Sequence, residues 1–123
     1  LYVCAAGNDD NDVEFDRVIP SSWDLPNLLV VGAVDQAGDP TGFTSGGETV
    51  TVHANGFEVE STVPGGARLA MSGTSMAAPQ VCNLAGKLFA VRLIRDGADP
   101  HPRDARIRLM NPRRTLAAAG GAE

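Results

Sequence analysis

Cysteine and histidine are scarce in this chain of 123 residues: two cysteines, Cys4 and Cys82, and two histidines, His53 and His101. Two cysteines are too few for a disulfide scaffold, and their spacing fits no zinc motif. They either form one bridge, which needs a geometry that sequence does not show, or remain as buried thiols. Aromatic residues make up only 5% of the chain, and no apolar run approaches the ~20 residues of a membrane-spanning helix. Basic residues are also in the minority, 10 Lys and Arg against 15 Asp and Glu, for a formal charge of -5. That balance argues against nucleic acid as a partner, because phosphate binding needs clustered cations. The arginines that do gather, Arg103, Arg106, Arg108, Arg113 and Arg114, read as a solvated face.

What the chain does have is 43% hydrophobic residues in short runs, enough for one compact domain or part of a larger one. Leu1 to Ala6 is a brief apolar run that stops at Gly7-Asn8, as a buried parallel strand does on reaching a loop. An opening within a strand leads us to expect further sequence upstream. Residues 8–27 are polar and acidic, with Pro20 and Pro26, and read as one long loop. The acidic run from Asp9 to Asp16 lacks the glycine that an EF-hand requires and is read as solvated. Leu28 to Val34 is a second buried strand. Phe43 to Ser45 is a candidate bridge, and Thr49 to His53 and Phe57 to Val63 are candidate strands, the former ending at the turn signal Ala54-Asn55-Gly56.

From Ser75 the pattern changes to helical spacing, with Val81, Leu84, Ala85, Leu88, Phe89 and Val91 apolar and Ala77, Ala78 and Gly86 small. This predicts a helix over 75–93, apolar on most of its circumference and buried between layers. Pro79 falls in its first turns, where proline is tolerated. A second helix or turn is expected over 103–109, a short helix over 112–119, and a loose tail from Gly120 to Glu123.

The stretch Gly73-Thr74-Ser75-Met76-Ala77-Ala78-Pro79 places a serine at the start of that helix. Helix N-termini carry unpaired N–H groups and the positive end of the dipole. A serine there can attack a carbonyl while backbone N–H groups meet the oxyanion that forms. Taken alone, Ser72, Thr74 and Ser75 would be read as capping residues. The longer string Met71-Ser72-Gly73-Thr74-Ser75-Met76-Ala77-Ala78-Pro79, however, resembles the nucleophile signature of the subtilisin-like serine proteases (peptidase family S8). Other segments are similar in the same order: Val3-Cys4-Ala5-Ala6-Gly7-Asn8, Ile19-Pro20, Leu29 to Asp35, Phe43 to Gly47 and Val52 to Gly56.

That resemblance implies an α/β fold of three layers, with a mostly parallel sheet and a buried central helix. It makes residues 1–123 the C-terminal portion of a peptidase domain. It implies peptide-bond hydrolysis through an acyl-enzyme on Ser75, with Asn8 donating its side-chain amide to the oxyanion. Ala5, Ala6, Gly7, Val18, Ile19, Pro20 and Thr74 would contact substrate, the Ile19-Pro20 bond being cis. The family's Asp and His precede the asparagine and so would lie outside this chain; neither His53 nor His101 matches the base. The chain departs from the family at Gln80, where a histidine is usual, at Asn55, where a proline is usual, and in a shortened connection between Val91 and Asp96. Thr51 stands where some relatives carry a calcium-binding Asp. No cofactor or metal site is assigned here, though calcium is compatible with a longer parent protein. The expected partners are a peptide or protein substrate and the missing part of the domain or a complementary chain, with no nucleic acid or membrane; the implied location is extracytoplasmic. Alone, the chain is expected to be inactive, and marginally stable, partly molten or paired. The rival reading is a non-catalytic binding or structural module that keeps the fold.

Overall fold

The computed structural model describes residues 1–88 and 91–120. Five strands form one sheet in the order β1 (Tyr2–Ala5), β2 (Leu28–Val34), β3 (Val52–Asn55), β7 (Arg108–Leu109) and β6 (Asp99–Pro100). The first four run parallel, and β6 is antiparallel at the edge. A separate antiparallel hairpin joins β4 (Val59–Thr62) to β5 (Arg68–Met71). The helices are α1 (Thr74–Leu88), α2 (Val91–Gly97) and α3 (Pro112–Gly120).

β2 organises the core. All seven of its residues are buried, as a continuous apolar run requires when both faces of a sheet are covered. Leu29, Val31 and Ala33 face α1, where they pack with Ala77, Val81, Leu84 and Ala85. Leu28 and Val30 face the other way and pack with Val13 and Val50, so the long loop after β1 covers that side. The buried residues of α1 recur at helical spacing on the sheet side, while Cys82, Asn83, Gly86 and Lys87 of the same helix are not buried. Coverage of α1 is therefore one-sided among the described residues. Phe89 lies outside them, as do the side chain of Val91 and residues 121–123, so the unbroken helix expected to residue 93 is described only to Leu88 and again from Val91.

Of the helix or turn expected over 103–109, the structure forms a turn: the Asp104 carboxylate accepts the Arg106 N–H (3.0 Å), the Ile107 N–H turns back to the Asp104 carbonyl (3.0 Å), and the chain then enters β7. The Met110 N–H reaches the His53 carbonyl (2.8 Å), so pairing with β3 outweighs local helical preference. One expectation is corrected, that of the thiols: both cysteines are free, Cys4 is half-buried and Cys82 is exposed, so the pair is neither a bridge nor two buried groups.

Smaller shifts follow from side-chain hydrogen bonds. Thr49 and Thr51 precede β3 rather than opening it. The Thr51 Oγ1 accepts the Val30 N–H (3.2 Å), and the Thr49 hydroxyl donates to the Ser21 carbonyl (2.6 Å). The bridge expected at 43–45 forms one residue later, between Gly46 and Asp12. Strand β5 has no periodic signal of its own and exists by pairing with β4 around the Pro64-Gly65-Gly66 turn.

Candidate active site

β1 and the start of α1 meet at one point. After Ala5 the chain bends at Gly7, whose φ of 119° is open to glycine at little cost and where a Cβ would sit 3.0 Å from the Ser45 hydroxyl. Asn8 follows and is exposed. Its side-chain oxygen accepts two hydrogen bonds from Thr74, one from the backbone N–H (2.8 Å) and one from the hydroxyl (3.0 Å). The Gly7 N–H in turn donates to the Thr74 hydroxyl oxygen (3.2 Å).

This arrangement fixes which way the Asn8 amide faces. A backbone N–H can only donate, so the Asn8 atom it meets is the oxygen. The amide nitrogen is left beside Gly73, with no partner for its protons among the described residues; a Cβ built on Gly73 would lie 3.4 Å from it. Gly73 precedes α1 and has no side chain to cap it. Asn8, 66 residues from Thr74 in sequence, provides the acceptor that a local cap would otherwise give. The capping alternative for the serines thus fails here: the Ser72 hydroxyl accepts the Glu58 N–H (2.9 Å), and Ser75 is exposed with no side-chain hydrogen bond among the described residues.

The loop that carries Ser75 is anchored to the sheet. The Gly73 N–H donates to the Gly56 carbonyl (2.8 Å), and the Gly56 N–H donates to Val34 at the end of β2 (2.9 Å). Gln80, at the position where the family usually has histidine, donates to the carbonyls of Asn55 and Met76, tying the second turn of α1 to the end of β3. Gly56 sits where nothing larger fits: a Cβ would come within 2.6 Å of the Gly73 carbonyl oxygen and 2.7 Å of the Ala33 Cβ. Replacing Gly56 by Ala is expected to displace the Gly73–Ser75 loop and to destabilise the chain by roughly 1–3 kcal/mol, the usual cost of overpacking. Urea unfolding checks this against Gly42→Ala, where no atom lies within 4 Å and no change is expected.

Of the residues expected to touch substrate, Ala6 is buried in the cluster beneath the long loop, and Val18 packs on that same cluster. Ile19 and Pro20 stand at the surface and are joined by a cis peptide bond. Ser75 opens instead onto a groove of about 700 Å³ between the β4–β5 hairpin, α1 and α3, and residues 5–7 and 18–20 do not line it. Asn8 and Thr74 are thus brought together directly before Ser75, while residues 18–20 lie outside the Ser75 groove. Neither histidine lines the Ser75 groove. His53 is buried on β3, and His101 Nε2 lies 3.2 Å from Asp39, whose carboxylate also takes the Arg103 guanidinium. Those two partners, Arg103 first, hold the Asp39 carboxyl below the usual range.

Three carboxylates of the acidic loop are hydrogen-bonded within the chain. Asp12 accepts the N–H groups of Glu14 and Phe15, Asp16 accepts the Asn11 amide, and Glu14 accepts the Thr49 N–H. Among the described residues no group of three or more His, Cys, Asp or Glu is placed to hold a metal ion, and no helix is long and apolar enough to cross a membrane. The pair of hydrogen bonds from Thr74 to Asn8 has one signal in the sequence, a threonine directly before the serine, and the family resemblance assigns that threonine to substrate contact instead.

Comparison with known proteins identifies the family and the fold. The subtilase family model matches residues 1–111. A thermophilic serine proteinase of Bacillus sp. (strain AK1) is 42% identical over 88 residues, covering 72% of this chain and 21% of the relative. A subtilisin of Bacillus pumilus is 37% identical over 91 residues, covering 73% and 32%. Among solved structures, an S218A mutant of the protease domain of PatA superposes with a TM-score of 0.81 at 27% identity, over 97% of this chain and 48% of that one. The prenylagaramide maturation protease PagA gives 0.79 at 25% identity, over 98% and 50%. The chain thus spans about a fifth to a third of the length of these curated relatives and about half of the solved domains. With the sheet order, the buried β2 and the Asn8–Thr74–Ser75 arrangement alongside these matches, the chain belongs to the subtilase family.

Proposed function

We propose that this chain carries the nucleophile and oxyanion half of a subtilisin-like serine endopeptidase. The observation that supports this best is the Asn8 amide, held by Thr74 through its oxygen and left, among the described residues, with no partner for its N–H groups beside Gly73. In the proposed reaction Ser75 Oγ attacks the carbonyl carbon of a peptide bond and passes its proton to a base. The carbonyl oxygen takes the negative charge and is met by the Asn8 side-chain amide and the Ser75 backbone N–H. The C–N bond then breaks, the amine leaves with a proton, and water hydrolyses the acyl-serine. Ala5 to Gly7 and Val18 to Pro20 are assigned to the substrate segment before the scissile bond.

The base has to be supplied from outside these 123 residues, because His53 and His101 are engaged elsewhere. We assign it to the remainder of a subtilase domain, which makes that remainder, as one polypeptide or as a complementary chain, a necessary partner. Calcium and an extracytoplasmic location rest on the family alone.

The test is labelling with a fluorophosphonate active-serine probe. In the complete peptidase containing this segment, covalent modification is expected at Ser75 and is lost in Ser75→Ala. The 123-residue chain alone is expected to label at a small fraction of that rate. The rival reading is a binding module that retains the fold. A well-folded complete protein that never labels at Ser75 would establish that rival.

A further inference from the structure

The helix that carries Ser75 lacks one of its own bonds. In an α-helix each N–H closes on the carbonyl four residues back, so the N–H of residue 79 would hold the Ser75 carbonyl. Residue 79 is a proline inside α1 and has no N–H to give. The first turn is therefore tied less firmly to the second at the residue whose position the proposed chemistry depends on.

Gln80, the next residue, joins the two turns in another way. Its side-chain Nε2 donates to the Met76 carbonyl in the first turn (3.2 Å) and to the Asn55 carbonyl at the end of β3 (2.5 Å). Carbonyl oxygens only accept, so the atom between them is the amide nitrogen, and both of its protons are used. A neutral imidazole, the group usual at this position in the family, has a single N–H and could hold only one of the two carbonyls.

Both ends of the nucleophile segment return to the same place. Gly73, two residues before Ser75, donates its N–H to the Gly56 carbonyl (2.8 Å), and Gln80, five residues after it, reaches the adjacent carbonyl, that of Asn55. This strand end is itself fixed. The Gly56 N–H donates to Val34 (2.9 Å), and the Asn55 side-chain oxygen accepts the Phe57 N–H (3.1 Å). Between the two anchors Thr74 holds Asn8 (2.8 and 3.0 Å). The Gly73 anchor is backbone to backbone, whereas the Gln80 anchor is made by a side chain and can be removed by substitution.

We infer that Gln80 is a positioning residue for Ser75: its amide, clamped between the Met76 and Asn55 carbonyls, makes good the helix bond that Pro79 removes and holds the first turn of α1 in register with Asn8. The inference rests on Ser75 as nucleophile. Gln80 acts through the backbone of α1 and β3 rather than on the substrate, and both carbonyls it holds belong to this chain.

The experiment uses the complete peptidase containing this segment. Gln80→Glu keeps the shape of the side chain but at about pH 8 has no proton to donate, and Gln80→Met keeps its length without charge. Each is expected to lower kcat, and the rate of fluorophosphonate labelling at Ser75, by about five- to tenfold with KM unchanged, because a displaced nucleophile costs transition-state rather than ground-state binding. Val81→Ala, at the next residue, empties part of the core between α1 and the sheet; it lowers the urea midpoint and leaves kcat as in wild type. Urea midpoints are read for all three variants. The inference is overturned if both Gln80 variants label at the wild-type rate, if KM alone changes, or if Val81→Ala slows labelling as much as they do. A wild-type enzyme that never labels at Ser75 removes the catalytic reading and the inference with it.

Discussion

Replacing Asn8 by Leu in the complete peptidase lowers kcat by roughly 100- to 1,000-fold, a magnitude taken over from loss of one oxyanion donor in a subtilisin rather than calculated from this geometry. Leucine has nearly the shape of asparagine and keeps the end of β1 filled, but it offers no N–H. The developing negative charge then loses one of its two proposed donors, while the ground-state carbonyl, which carries less charge, loses little. The loss should therefore appear in kcat with KM nearly unchanged. Thr74→Val separates donation from orientation. It removes the hydroxyl donor to the Asn8 oxygen and keeps the backbone one, so the amide is held by one bond instead of two. A net hydrogen bond of ~1 kcal/mol puts the expected drop at up to about tenfold. Steady-state kinetics on a chromogenic peptide measure both. An Asn8→Leu enzyme that changed only KM would place Asn8 in substrate binding and not in the oxyanion site.

How much of this is readable in the sequence depends on the range of the interactions. Leu28 to Val34 is legible because seven adjacent residues all need burial, and no interrupting polar residue leaves a choice of face. Ser75 is legible because a small, specific string surrounds it, and Asn8 because it follows an apolar run ending in glycine. The contacts that bring these two candidate residues together are not legible. The Thr74–Asn8 bonds span 66 positions, and the need for glycine at position 56 comes from Gly73 and Ala33, which meet it only after the sheet has formed. The choice between helix and turn over 103–109 is open in the sequence for a related reason. It is decided by two backbone hydrogen bonds with other parts of the chain, His101 N–H to Ile107 and Met110 N–H to His53, which draw 107–110 into the sheet and leave a turn before it. The exposed face of α1 reflects context too. Gly86 and the other small residues there suit close packing by another layer, and Cys82 beside them is open to solvent among the described residues.

A second large effect belongs to His53, and it concerns stability rather than chemistry. His53 sits on β3 opposite Gly32 and is only 4% exposed. Gly32 makes room for it: a Cβ there would fall 2.4 Å from the imidazole Cδ2. Burial disfavours the imidazolium and pushes the His53 pKa from 6.5 down to about 4, against smaller opposing effects from the Arg108 backbone and the Asp104 charge. Nδ1 has no hydrogen-bond partner among the described residues, so nothing there welcomes a second proton. The folded-state pKa lies below the unfolded one, so as pH falls the unfolded chain takes up the proton first. The neutral-histidine contribution is complete above about pH 6.5. It declines by ~1.4 kcal/mol per unit down to about pH 4 and is then lost, for a total of about 3 kcal/mol. The carboxylates whose pKa is depressed, Asp39, Asp99 and Asp104, the last to about 2, release their contribution at lower pH, as pH falls below the usual carboxylate range, so the two windows separate. Urea unfolding from pH 7 to pH 4 should show that slope, and in a chain of ordinary marginal stability the loss brings it close to unfolding at the acid end. His53→Phe keeps a ring against Gly32 and cannot ionise, so its stability should be level across the same window even if lower at pH 7. Gly32→Ala should destabilise the chain at every pH and, by forcing the ring outward, shrink the slope. A wild-type chain equally stable at pH 7 and pH 4.5 would mean that the imidazole already reaches water.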